Sequence, residues 1–134
     1  MKTVRLADQV RETLEPFWEE IDLAFIYGSV ARGERTAQSD VDVLVVGGIS
    51  MADLARPLRE LEQVLQIPVT VTHFTRAEFQ DKWRRENHFL RTILRGQRIF
   101  LKGSGHELAD IVGEPLLNSA GRGRDMAAGY EDIT

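Results

Sequence analysis

The hydrophobic pattern alternates between helical stretches and short apolar runs along most of the chain. Apolar residues recur at three- and four-residue steps in residues 3–16 and again in residues 51–66, which predicts two amphipathic helices. Nearly continuous apolar runs at residues 23–27 and 41–46 predict buried strands, and the first of these is expected to be covered on both faces. A third strand is predicted at residues 67–74, where side chains alternate between two faces.

The alternation of helical stretches and strands continues beyond the third predicted strand. Thr75 and Glu78 have the spacing of a capping box, and apolar residues follow at helical steps as far as Gly96, so a helix is predicted over this stretch. A last short strand at residues 98–102 and a last helix at residues 107–114 complete the pattern.

This order of elements predicts an α/β (α+β) fold. We expect a small mixed β-sheet of three to four strands with helices mainly on one face. A chain of 134 residues is long enough for one domain with a real core. We place that domain at residues 1–112 and expect residues 113–134 to form a loosely ordered tail, because they are rich in Gly, Asp and Arg and have little periodicity.

Composition and charge narrow the function classes. No apolar stretch approaches the ~20 residues that span a bilayer, and no secretory signal is evident, so we expect a cytoplasmic protein with no membrane association. The absence of cysteine excludes disulfides and thiolate metal sites. A net charge of −4 gives no strong signal for nucleic-acid binding.

Two acidic residues stand at the start of the second apolar run. Asp40 and Asp42 are one residue apart, so their carboxylates project side by side from one face of a strand. Carboxylates held this close repel each other unless a cation lies between them. Hard divalent cations prefer such oxygen ligands, and we expect Mg²⁺ above all, with Mn²⁺ as an alternative.

A Gly-Ser pair ends the first apolar run. Gly28 and Ser29 offer backbone N–H groups at the start of a short helix, which suits a phosphate group. An ordinary strand-to-helix turn would also explain Gly28 and Ser29. Likewise, Asp40 and Asp42 could be surface carboxylates at the start of a strand. Taken together, metal carboxylates beside a phosphate-binding turn describe a nucleotide site.

The spacing of these residues resembles a known signature. Gly28-Ser29, ten intervening residues and then Asp40-x-Asp42 resemble the motif of the nucleotidyltransferase superfamily that includes DNA polymerase beta and kanamycin nucleotidyltransferase. Ser39 and the spacer after Ser29 are most similar to the minimal, stand-alone nucleotidyltransferases of bacteria and archaea. The resemblance implies that Asp40 and Asp42 are the catalytic residues and metal ligands.

The resemblance also implies a set of nucleotide contacts. The implied nucleotide-binding residues are Gly28, Ser29, Arg32 and Ser39. Arg35 is a further candidate phosphate donor, although an arginine in this loop is more often solvated.

The third strand departs from the family pattern. Active members usually carry a third carboxylate there, but residues 67–76 contain no Asp or Glu, and the strand offers Thr70 and Thr72 instead. Glu78 lies past the strand and is expected to serve the capping box. A hydroxyl cannot replace a charged carboxylate as a metal ligand or general base near neutral pH, which puts turnover in question.

Three interpretations follow. The first is a nucleotidyltransferase that moves NMP, with AMP from ATP favoured, to an acceptor hydroxyl. Its resemblance to minimal members that act as antitoxins implies a small helical partner protein as acceptor, typically through a tyrosine. The second is a catalytically weak or inactive nucleotide-binding module that regulates a partner, and the third is a purely structural interaction protein. All three are compatible with a homo-oligomer.

Overall fold

The computed structural model of the chain describes residues 3–34 and 39–113. The strands are β1 (Ile21–Tyr27), β2 (Val41–Gly47), β3 (Val69–Phe74) and β4 (Ile99–Lys102). The helices are α1 (Thr3–Leu14), α2 (Gly28–Ala31), α3 (Met51–Leu65), α4 (Arg76–Arg84), α5 (His88–Arg95) and α6 (Gly105–Val112). A 3₁₀ helix at Glu15–Glu20 joins α1 to β1.

The four strands form one mixed sheet in the order β3-β2-β1-β4. Strand β1 is antiparallel to both of its neighbours, while β2 and β3 are parallel. Helix α3 makes the crossover that a parallel β2–β3 pair requires. The predicted fold class, a small mixed sheet with helices, is therefore confirmed.

Helices cover both faces of the sheet, whereas we expected them mainly on one. Helices α1 and α3 pack on the face formed by Ala24, Ile26 and Val43, which we call the α1/α3 face. Helices α4, α5 and α6 pack on the opposite face, formed in part by Phe25 and Leu44, which we call the α4–α6 face. Because β1 and β2 are apolar at successive positions, both faces must be removed from water, and one layer of helices cannot do this.

The helix predicted to run from Thr75 to Gly96 is two helices. Helix α4 ends at Arg84, Glu86 adopts a left-handed conformation with φ of 57°, and the side chain of Asn87 then caps α5 by accepting from the Leu90 N–H. The break lets the apolar residues of α4 and α5 both reach the α4–α6 face. It also brings the first turn of α5 against the end of β1.

At the other helix ends, the structure confirms the predicted capping box and moves the start of the last helix. Ser50 caps α3, and Thr75 with Glu78 forms the expected reciprocal capping box of α4. Pro57 is accommodated within α3, and the last helix begins at Gly105 rather than at Glu107, with Ser104 as its cap.

Two further expectations concern the ends of the chain and the membrane. Residues 114–134 lie outside the described residues, so the proposed boundary at residue 112 stays a prediction. Within the described part of the chain, no helix combines the length and the apolar character needed to cross a bilayer.

Candidate functional site

The two sequence motifs meet at one end of the sheet. Strand β1 ends where its antiparallel neighbour β2 begins, and Tyr27 is the register partner of Asp42. Gly28 and Ser29 follow Tyr27 directly and open α2. The antiparallel pairing therefore places the Gly-Ser turn beside the acidic pair, although ten residues separate them in sequence. Tyr27 and Asp42 share the α4–α6 face, because directly opposed residues of antiparallel strands point the same way.

Gly28 lies against the carboxylate of Asp42. Its φ is +78°, and a Cβ at this position would lie 2.6 Å from Asp42 Oδ2. Glycine satisfies both requirements, since it adopts positive φ without strain and has no Cβ. The backbone of the Gly-Ser turn and the Asp42 carboxylate are thus in direct proximity.

Helix α2 holds the turn in place. Val30 is completely buried in the core of the α1/α3 face and anchors this single helical turn. Backbone hydrogen bonds from Arg32 N to Gly28 O (3.1 Å) and from Glu34 N to Ser29 O (2.9 Å) close the segment. Ser29 itself is half-buried.

The two carboxylates differ in environment. Asp40 is exposed and Asp42 is half-buried at the start of β2. Partial burial raises the pKa of Asp42 above its ordinary value, repulsion from Asp40 raises it further, and Arg32 partly opposes both effects. A divalent cation would oppose these effects and lower the pKa of Asp42. Two carboxylates that interact electrostatically form a donor set that suits a hard cation such as Mg²⁺.

Arg32 and Ser39 flank this pair. The Arg32 Nε lies 3.0 Å from Glu34 Oε1, and both side chains are exposed, so the ion pair contributes little stability. A phosphate group could take the place of the Glu34 carboxylate at low cost. Ser39 is half-buried immediately before Asp40, and Arg35 lies outside the described residues.

The register of β3 identifies the position of the expected third carboxylate. Asp42 is paired with Thr70, which is exposed, whereas Thr72 is half-buried and paired with Leu44. Thr70 therefore occupies the place beside Asp42. Among the described residues, no group of three or more Asp, Glu, His or Cys side chains could hold a metal ion together. The departure seen in the sequence persists in the fold.

Two aromatic residues that sequence reasoning did not assign to the site border it. The half-buried Tyr27 has its hydroxyl 3.5 Å from Thr72 Oγ1, and burial, followed by a smaller contribution from Asp42, raises its pKa. The ring of Phe89, from the first turn of α5, meets the Tyr27 ring edge-on with centroids 6.0 Å apart. Strand alternation could have placed Tyr27 here, but nothing local in the sequence brings Phe89 to the same place.

His73 and Glu78, by contrast, serve the structure. The His73 Nε2 lies 2.9 Å from the carbonyl oxygen of Gly47. Glu78 accepts a hydrogen bond from the Thr75 N–H, and this bond lowers the pKa of Glu78.

The chain belongs to the Nucleotidyltransferase domain family, whose model matches residues 7–101. The resemblance drawn from the Gly-Ser and Asp-x-Asp motifs is confirmed by this match. A search of curated proteins gives no match.

Solved structures of toxin-antitoxin proteins share the fold. A crystal structure of a toxin-antitoxin with AMP-PNP is 16% identical, with a TM-score of 0.58 over 80% of this chain and 81% of that chain. The tri-AMPylated HEPN toxin of Shewanella oneidensis in complex with MNT antitoxin gives 13% identity and a TM-score of 0.53, over 82% and 80% of the two chains. The crystal structure of the toxin-antitoxin MntA-HepT is 14% identical, with a TM-score of 0.52 over 81% of this chain and 79% of that chain.

We expect Gly28→Ala to disrupt the site beyond its effect on stability. The left-handed φ should cost about 1 kcal/mol in any L residue, and the new Cβ must also push the Asp42 carboxylate aside. Gly33→Ala is the matched control, because Gly33 has a φ of +75° and a Cβ added there would meet nothing within 4 Å. Urea unfolding should show similar losses for both variants, while calorimetry should show weaker Mn²⁺ binding for Gly28→Ala alone. Equal Mn²⁺ affinity in the two variants would contradict this.

We expect Asp42→Asn to stabilise the metal-free protein near neutral pH. Because the pKa of Asp42 is raised on folding, its stabilising contribution is complete below the ordinary aspartate pKa of about 3.9 and is lost as the pH rises through the raised value. The gain should be under about 1 kcal/mol, since solvent screens a half-buried group. It should shrink towards zero as the pH falls to about 4.

Thermal unfolding in EDTA between pH 4 and 8 measures this difference. Asp22→Asn, which neutralises an exposed carboxylate elsewhere in β1, controls for the change in net charge. A variant Asp42→Asn that is less stable than the parent at pH 7 would show that Asp42 is not under electrostatic strain.

Proposed function

We propose that this protein transfers a nucleoside monophosphate, AMP from ATP, to a hydroxyl group of a partner protein. The observation that carries the proposal is the proximity of Gly28 to the Asp42 carboxylate at the shared end of β1 and β2. Nucleotidyl transfer needs metal-binding carboxylates next to a phosphate-binding turn, because charge develops on the transferred phosphate and on the leaving pyrophosphate. The family match supports this class of reaction.

In this proposal, Asp40 and Asp42 hold Mg²⁺, or Mn²⁺ in its place. The bound cation would neutralise the triphosphate and lower the pKa of the attacking hydroxyl. Gly28 allows the phosphates to approach the backbone, while Ser29 and Ser39 offer hydroxyl groups to phosphate oxygens. The Arg32 guanidinium, which is paired with the Glu34 carboxylate, donates to a phosphate oxygen instead when nucleotide binds. A bond forms between the acceptor oxygen and the α-phosphorus while the hydroxyl proton passes to water. The bond from the α-phosphorus to the oxygen that bridges to the β-phosphate breaks, and pyrophosphate leaves.

The proposed acceptor is a tyrosine of a small helical partner protein. Support comes from the solved neighbours, which are toxin-antitoxin proteins and include an AMPylated HEPN toxin bound to an MNT antitoxin. At 16% identity or less, these structures share the fold with this chain, so the acceptor is a matter for experiment. A cytoplasmic location likewise stays a prediction.

A second candidate function rests on Thr70. This neutral residue occupies the position beside Asp42 where active relatives are expected to carry a third carboxylate. Without that charge, the cation that assists the attacking hydroxyl is held less firmly, whereas nucleotide and metal can still bind. The alternative is therefore a weak or inactive nucleotide-binding module that regulates a partner.

Transfer of label from α-³²P-ATP tests the first proposal directly. With Mg²⁺ or Mn²⁺ and candidate helical partners or cell extract as acceptors, we expect a labelled protein. Asp40→Asn and Asp42→Asn should each reduce labelling roughly 100-fold or more, since a lost metal ligand removes several kcal/mol of transition-state stabilisation. Asp22→Asn, a matched neutralisation away from the site, should not. Metal-dependent ATP binding without label would favour the second function, and neither binding nor label would overturn both.

Thr70→Asp should tighten metal binding. A carboxylate beside Asp42 attracts a divalent cation with a few kcal/mol at about 4 Å, so we expect at least a roughly tenfold gain in Mn²⁺ affinity by calorimetry. Thr70→Asn, which has a similar size without the charge, should show no gain. If Thr70→Asp binds Mn²⁺ no better than Thr70→Asn, the position is not the missing ligand site.

A further inference from the structure

Phe89 is unusual among the apolar residues of this protein. Among residues 5–34 and 39–113, whose side chains are described, three large hydrophobic side chains are exposed, namely Met51, Val64 and Phe89, and Phe89 is the one aromatic ring among them. Its exposed fraction is 43%. The preceding residues, Glu86 and His88, are polar and exposed. Phe89 thus follows exposed polar residues in sequence, and in space its ring contacts the ring of the half-buried Tyr27.

The backbone that carries Phe89 is held firmly. Asn87 caps α5 by accepting from the Leu90 N–H at 3.1 Å. Leu90, Ile93 and Leu94 are buried in the core of the α4–α6 face. The backbone at Phe89 is therefore positioned before any ligand binds, so that binding needs to order only the side chain.

The ring of Phe89 is connected to the acidic pair through Tyr27. The two rings are nearly perpendicular, at 84° with centroids 6.0 Å apart. Tyr27 is in turn the register partner of Asp42 and lies on the same face of the sheet. Asp42, Tyr27 and Phe89 therefore form a continuous path from the proposed metal ligand to an exposed aromatic surface.

We propose that Phe89 is the stacking surface for the nucleobase of the bound NTP, with Tyr27 as the ring that supports it. This inference rests on the proposed function, because it assumes that the triphosphate lies at Asp42 and Gly28. Every base has a π-face, and stacking on an aromatic side chain contributes affinity without hydrogen-bond readout. Purines offer the larger face, so ATP and GTP are expected to bind better than UTP. Phe89 is the one exposed aromatic ring among the residues whose side chains are described, so the surface it offers matches one planar base better than the apolar core of a protein interface.

The affinities for ATP and for inorganic tripolyphosphate, compared in the same protein, separate the contribution of the nucleobase from that of the phosphates. We expect the parent protein to bind ATP with Mn²⁺ about tenfold more tightly than tripolyphosphate with Mn²⁺ in calorimetry. Phe89→Ala and Phe89→Leu should abolish most of this difference and reduce the preference for ATP over UTP. Both variants should leave tripolyphosphate affinity unchanged, and Phe89→Trp should restore the difference. Val64→Ala, which removes an exposed apolar side chain from α3, is the matched control.

Each outcome has a distinct meaning. If the parent binds ATP better than tripolyphosphate but Phe89→Leu preserves the difference, the base lies elsewhere and the inference is overturned, while the proposed function stands. Equal affinity of the parent for the two ligands also overturns the inference alone. Should the parent bind neither ligand, the proposed function fails and the inference with it. Loss of partner-protein labelling in Phe89→Leu with unchanged ATP binding would identify the ring as a protein contact instead, against the inference.

Discussion

The contact between the Gly28 backbone and the Asp42 carboxylate is the constraint on which the site depends. It exists because β1 and β2 are antiparallel and aligned so that Tyr27 opposes Asp42. This register is rigid, since a shift by one residue would turn the buried side chains of both strands to the wrong faces. With helices on both faces, each of the two strands is fixed from both sides. The packing of the core thereby determines where the Gly-Ser turn meets the Asp42 carboxylate.

The metal-free site is under electrostatic strain. Partial burial and the neighbouring Asp40 raise the pKa of Asp42, so the arrangement favours a ligand that supplies positive charge. The neutral Thr70 limits this strain, because a third carboxylate beside Asp42 would increase the repulsion. In the proposed function, the same neutral residue would bind a cation less firmly than a carboxylate. Stability without ligand and strength of metal binding are therefore opposed at this position, as is common at functional sites.

The division of α4 from α5 determines which residues lie beside the end of β1 on the α4–α6 face. A continuous helix would have carried the apolar stripe of residues 76–95 along one straight axis. The left-handed Glu86 and the Asn87 cap redirect the chain instead, and α5 begins beside the end of β1. An aromatic ring from a distant part of the sequence thus comes to border the acidic pair. The α1/α3 face has no comparable feature near the site among the described residues and serves mainly to bury the other side of the sheet.

By itself, the sequence determined the elements whose causes are local. Apolar runs, the Ser50 cap and the Thr75–Glu78 capping box all follow from the chemistry of residues within a few positions of one another. The family could be inferred for the same reason, since its motif lies within one short segment.

Only the tertiary structure decided which distant residues meet. The strand order, the helices on both faces, the choice of Thr70 over Thr72 as the neighbour of Asp42, and the approach of Phe89 to Tyr27 depend on register and packing. These are set by burial of the whole core, a sum over many weak contacts that no local pattern encodes. A left-handed residue such as Glu86 is likewise sustained by the packing on either side of it, which is why the sequence predicted one helix where the fold has two.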